Sequence, residues 1–202
     1  MKQANFGIGY SAPFPHTVID GYLSPETVSL INLHWPRDWT KEAGKNNKKW
    51  HTREIPHCVA GVIAAVDLGM LEMVTGIPAL FTDPELFGAG LHCIPPGGFL
   101  NMHCDFNYHP KGWRRRVNML IYLNERWDDS WNGHLQLGLG AEAIKIAPIG
   151  GRAVIFETND TTWHGHPEPL ACTDDVQRRS LALYFYTADS DGDRPHTTIY
   201  KR

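Results

Sequence analysis

A chain of 202 residues, 42% hydrophobic and 20% charged, is long enough for one domain with a full core and short for two. Its formal charge of −3 sets up no basic field for nucleic acid, and no run approaches the roughly 20 apolar residues that span a bilayer, so neither nucleic acid nor membrane is an expected partner. Met1–Tyr10 has no apolar leader segment, and Cys58, Cys93, Cys104 and Cys172 form no C-x-x-C pair, so the expectation is a soluble cytoplasmic protein with reduced thiols.

Residues 13–20 predict a first strand from their β-branched content. Ser24-Pro25-Glu26 is a helix start, a cap residue followed by proline at the first helical position. Val28, Leu30, Ile31 and Leu33 fit one face of that helix. Residues 40–50 are polar and basic and predict an exposed, mobile loop. Residues 60–76 carry Val62, Ile63, Val66, Leu71 and Val74, which predicts one supporting helix ending near Gly76, with Met70 and Met73 as core filler. From Ala89 onward the pattern changes to short strands and turns, the signature of a sandwich or jelly roll. Helices first and strands later indicate an α+β fold. The expected layout is a single domain over 1–202, with helical support at about 24–76 and a jelly-roll core at about 89–187.

The chemistry concentrates in the second half. In a strand, His103 and Asp105 point the same way and Cys104 points away. Two histidines and one carboxylate grip one face of a non-haem iron(II) ion and leave the other open. His164, from a distant strand, would complete the set, and His166 competes with it. Arg178-Arg179-Ser180 opens an apolar run, and an arginine there can clamp a carboxylate through two parallel hydrogen bonds. The two arginines face opposite ways. Arg178 shares its face with Ser180, Ala182 and Tyr184, where small residues leave room for a diacid; Arg179 shares its face with Leu181, Leu183 and Phe185, which want a core. Alternation therefore favours Arg178. Asn118 is polar in an apolar strand and needs partners. Arg114-Arg115-Arg116 reads as a solvated basic run or as a contact for an acidic or phosphorylated substrate, while His92, His109 and His134 read as surface or hydrogen-bonded core residues.

Five segments then fall in a familiar order: Gly98–Asn107 around His103-Cys104-Asp105, Arg116–Asn124 with Tyr122, Trp131-Asn132-Gly133-His134-Leu135-Gln136-Leu137, Gly151–Phe156 leading to Trp163-His164-Gly165-His166-Pro167, and Arg178–Tyr184. Through them the chain resembles, from Pro13 to Thr187, the 2-oxoglutarate/Fe(II) oxygenase superfamily in its prolyl 4-hydroxylase-like branch. The resemblance implies a double-stranded β-helix, a jelly roll whose two walls hold a metal between them. It implies Fe(II) on His103, Asp105 and His164, with His164 preferred over His166 as the histidine before glycine. It implies 2-oxoglutarate as co-substrate on Arg178, with Ser180 completing an R-x-S pair, the Tyr122 hydroxyl reaching the carboxylate and Asn118 lining the site. Ascorbate would then be stimulatory. The implied activity is hydroxylation by O2 of a peptidyl proline or a small molecule, with release of succinate and CO2. Two alternatives stay open: a non-catalytic metal- or 2-oxoglutarate-binding sensor of the same fold, and a cupin-type metalloenzyme, whose usual sites carry no clamp arginine.

Overall fold

The computed structural model describes residues 7–188, 192 and 194–201. The chain opens with β1 (Ile8–Tyr10) and β2 (His16–Ile19), which pair antiparallel. Helix α1 (Pro25–Leu33) starts where the cap sequence placed it, the Ser24 hydroxyl accepting the Thr27 N–H at 3.3 Å. Val28 and Ile31, one turn apart, are buried; Leu30 and Leu33 fall on the outer side and are exposed, so the apolar face is narrower than expected. Next come the strands β3 (Thr40–Ala43) and β4 (Asn47–His51), and the helices α2 (His57–Ala64) and α3 (Leu68–Thr75). The remaining strands are β5 (Phe81–Thr82), β6 (Gly90–Ile94), β7 (Phe99–Cys104), β8 (Arg114–Tyr122), β9 (Leu135–Leu137), β10 (Ile144–Ile146), β11 (Ala153–Glu157), β12 (His164–His166), β13 (Arg178–Thr187) and β14 (Ile199–Tyr200).

Two expectations need correction. The supporting helix at 60–76 is two helices meeting at 54°. The first ends at Ala64, with Ala65 as its C-cap, and Asp67 begins the second, its carboxylate accepting the Met70 N–H at 3.1 Å, because a short acid at that position caps a new helix better than it continues an old one. Val59, Val62 and Leu71 face the core and Met70 packs at its edge, but Met73 is exposed and fills nothing. No single helix among the described residues is long and apolar enough to cross a membrane. The second correction concerns residues 40–50, which form a hairpin rather than a loop, Thr40 pairing with His51 and Ala43 with Lys48. Its second strand bridges β6 and β7. The segment is a strand for its backbone, which closes the ladder between those two; its polar side chains hid that role.

The strands run in the order β1-β2-β11-β8-β13-β6-β4-β7-β12-β9-β10, with β14 on β7, β3 on β4 and β5 on β13. Thus the sheet also recruits strands from outside 89–187. Residues of β6, β8 and β13 line the same cavity as residues of β7 and β12, so the row curls into the half-barrel of a jelly roll. Helices α1 to α3 cover its outer wall. Leu181, Leu183 and Phe185 of β13 and Val117, Met119 and Ile121 of β8 pack there against Ile31, Val59 and Leu71. The opposite residues of the same strands turn into the half-barrel, as period-two alternation requires.

Candidate active site

Strand β12 lies antiparallel to β7 with His164 directly opposite His103, and Asp105 follows at the end of β7. Gly165 allows this approach, since a Cβ there would stand 2.8 Å from the Leu100 and Asn101 carbonyl oxygens. Ligand atoms of His103, Asp105 and His164 all lie within 4.8 Å of one another. Each imidazole is oriented from behind: His103 Nδ1 is 2.8 Å from the Asn101 carbonyl and His164 Nδ1 is 2.9 Å from that of Thr162. A carbonyl only accepts, so each Nδ1 carries the proton and each Nε2 is left as a bare lone pair. Those lone pairs face the Asp105 carboxylate at 3.6 and 3.1 Å. Three electron-rich groups converge, an arrangement that repels itself unless a cation stands among them. Burial first, and His164 next, hold His103 below its ordinary pKa. Burial opposes ionisation of Asp105, but the Arg115 guanidinium beside it outweighs that cost and keeps its carboxyl well below the usual range. Two neutral imidazoles and one carboxylate fit a divalent transition metal such as Fe(II). Cys104 points away, as alternation predicts, its Sγ on the Asp160 carbonyl at 3.3 Å.

The groups that hold Asp105 include one residue that sequence reasoning missed. Arg115 is 2% exposed, with its guanidinium over the Tyr184 and Phe106 rings at 3.4 and 4.4 Å. It donates to Asp105 Oδ2 at 2.8 Å and to Asn118 Oδ1 at 2.6 Å. Strict alternation from Asn118 would turn Arg114 and Arg116 inward instead. The register between β8 and β13 shifts here: Phe185 opposes Val117 and Tyr186 opposes Arg115, leaving Arg116 as an extra residue. Such a bulge re-aims the side chain beside it. Asn118, expected to line the site, does line the cavity and donates to Asp105 Oδ2 at 2.7 Å; its amide bridges Arg115 to the carboxylate at the metal end. Arg115→Met is expected to lower affinity for Mn(II) or Fe(II) about 10- to 100-fold and to reduce stability by roughly 3–5 kcal/mol through an uncompensated buried charge. Metal titration and thermal unfolding check both, and unchanged metal affinity would contradict the role given to Arg115.

The other end of the cavity, whose volume is about 220 Å³, is built around Arg178. Arg178 is 4% exposed and burial lowers its pKa. Its Nε donates to the Gly133 carbonyl at 2.7 Å and its Nη2 to the Tyr122 hydroxyl at 3.3 Å. Gly133, at φ +73°, lies so close that a Cβ would stand 3.2 Å from Arg178 Cδ. Among the described residues no carboxylate stands within ion-pair distance of Arg178. Ser180 lines the cavity beside it, while Tyr122 stands behind the arginine and is not part of the wall. Arg179 points the other way, onto Asn32 of α1 at 2.6 Å and over the Trp35 ring. His166 and His92 line the wall, so His92 is a cavity residue and not a surface one. His109 stacks on Trp113 and faces Asp83 at 3.3 Å, and His134 faces Asp129 at 3.2 Å, both away from the cavity wall. Among the wall residues not foreseen are Tyr200, whose ring centroid is 5.5 Å from that of His103, and Lys49. Neither lies in a segment with a motif, so no local signal marks them.

The profile of the 2OG-Fe(II) oxygenase superfamily matches residues 89–186, the segment that holds His103, Asp105, His164 and Arg178. No curated protein matches the sequence. Among solved structures the chain is similar to a prolyl-4-hydroxylase of Pseudomonas putida, with 18% identity and a TM-score of 0.59 over 85% of this chain and 92% of that one. It is similar to a prolyl hydroxylase from Trichoplax adhaerens in complex with a hypoxia inducible factor oxygen degradation domain peptide fragment, with 17% identity and a TM-score of 0.60 over 85% and 83%. It is also similar to HygX from Streptomyces hygroscopicus with nickel, 2-oxoglutarate and hygromycin B bound, with 15% identity and a TM-score of 0.62 over 85% and 82%. At these identities the likenesses carry the jelly-roll fold. Residues 89–186, just under half of the chain, match the 2OG-Fe(II) oxygenase superfamily, and the chain has the fold of the prolyl hydroxylases it is similar to.

Proposed function

We propose that the protein is an Fe(II)- and 2-oxoglutarate-dependent hydroxylase acting on a C–H bond of a peptidyl proline or a small molecule. The observation that carries this reading is a single cavity with a metal-fitting triad at one end and a buried, carboxylate-free Arg178 at the other. His103, Asp105 and His164 would hold the metal on one face and leave the other for ligands. Bound there, Fe(II) with 2-oxoglutarate would supply the oxidising power, so that 2-oxoglutarate, O2 and R–H become succinate, CO2 and R–OH. The protein's own work is positioning. Arg178, kept straight by Gly133 and Tyr122, would grip the distal carboxylate of the co-substrate through its fork. Arg115 and Asn118 hold Asp105 in place and ionised. Tyr200, Phe106 and Tyr184 narrow the space beside the metal end. Both substrate classes have support among the similar structures, one holding a peptide fragment and one holding hygromycin B.

The test is incubation with Fe(II), 2-oxoglutarate, ascorbate, chloride and a panel of prolyl peptides and small metabolites under labelled oxygen gas. The expected result is a product heavier by one labelled oxygen, with one succinate per coupled turnover. A full carboxylate at Asp105 would take the place that chloride would need on a bound metal. A halogenated product from the unaltered protein, or no succinate across the panel, would contradict the proposal.

A further inference from the structure

Strand β4 brings Lys49 into the cavity wall from outside the segment that the family profile covers. Its register sets Trp50 opposite Cys93 and His51 opposite His92, so Lys49 stands level with Ile94. Ile94 in turn pairs with Arg178 on the far side of β6. Three adjacent strands therefore present Lys49, Ile94 and Arg178 at one level, and all three residues line the same cavity. The two cations also act on a common neighbour. His92 is held well below its ordinary pKa by burial first, then by Lys49, His51 and Arg178.

Among the described residues no carboxylate forms an ion pair with either cation at this end of the cavity. Glu42 is the cross-strand partner of Lys49, yet it gives Oε1 to His51 at 3.1 Å and Oε2 to Asn47 at 3.3 Å. One carboxylate offers about four lone-pair sites, enough for an arginine fork and a lysine ammonium together. The fork fixes direction and the ammonium adds a point charge.

We infer that Lys49 is a second cation for the distal carboxylate of 2-oxoglutarate, working beside Arg178 to select a diacid over a monoacid; this rests on the cavity being a 2-oxoglutarate site. The test is calorimetric binding to the Mn(II)-loaded protein, with 2-oxoglutarate and with pyruvate, which has no distal carboxylate. Wild type, Lys49→Met and Lys49→Arg are compared, and Mn(II) affinity is measured in each. Lys49→Met is expected to weaken 2-oxoglutarate about tenfold or more while leaving Mn(II) and pyruvate affinities unchanged, and Lys49→Arg to restore most of the loss. If Lys49→Met binds 2-oxoglutarate like wild type, the inference is wrong and the charge is left for an anionic group on the primary substrate. If Mn(II) and pyruvate affinities fall in step with it, Lys49 supports the wall in general and the inference is equally wrong. Wild-type protein that takes up Mn(II) but no 2-oxoglutarate would overturn the reading of the cavity itself, and this inference with it.

Discussion

His103→Ala, Asp105→Ala and His164→Ala are each expected to abolish succinate formation and to weaken metal binding by more than the roughly 10- to 100-fold that follows loss of an outer-shell partner. Each removes one of the three donors that the described residues bring together at this point. The three variants are not equivalent in stability. Asp105 is the shared acceptor for Arg115 and Asn118. Its removal strands a buried guanidinium and is expected to destabilise the fold by about 3–5 kcal/mol. The histidines rest on backbone carbonyls and leave no buried charge behind. His166→Ala is the control, since its ring lines the cavity without joining the triad. Metal titration and unfolding of the four variants check the assignment. Full metal affinity in His164→Ala together with loss in His166→Ala would place the third ligand wrongly.

Arg178→Ala is expected to raise the KM for 2-oxoglutarate roughly 30- to 1000-fold, the effect of losing about 2–4 kcal/mol of charge-assisted, bidentate contact. Arg179→Ala is expected to leave that KM near wild type. Its guanidinium ties β13 to Asn32 on α1, so its loss belongs to stability. Steady-state kinetics on both variants decides between them. A larger KM effect at Arg179 would mean that the cavity face of β13 has been misassigned.

The parts of this site that were legible are those governed by strand alternation. His103 and Asp105 share a side, Cys104 turns away, and Arg178 rather than Arg179 points inward, all from period two. His164 was legible through the family resemblance, as the histidine before glycine, and the close approach of β7 demands that glycine. The failures arise where alternation stops or where the backbone alone carries the role. At Arg115 an extra residue in β8 flips the face, and nothing in Arg114-Arg115-Arg116 announces a bulge. In β4 the polar run Asn47–His51 looks solvated, yet its peptide groups bridge two strands and its Lys49 enters the cavity. The break between α2 and α3 turns on one capping acid, Asp67, inside an otherwise continuous apolar pattern. Tyr200 reaches His103 only because the chain returns after β13 to pair with β7, a long-range choice that a two-residue strand does not signal.

The most direct test of the central claim is an anomalous-scattering crystal structure at the iron edge, from crystals grown without oxygen in Fe(II) and 2-oxoglutarate. The account predicts a single iron between His103 Nε2, the Asp105 carboxylate and His164 Nε2, with the distal carboxylate of 2-oxoglutarate on the Arg178 fork. Iron centred on His166 or His92 instead, or a co-substrate carboxylate nowhere near Arg178, would contradict it.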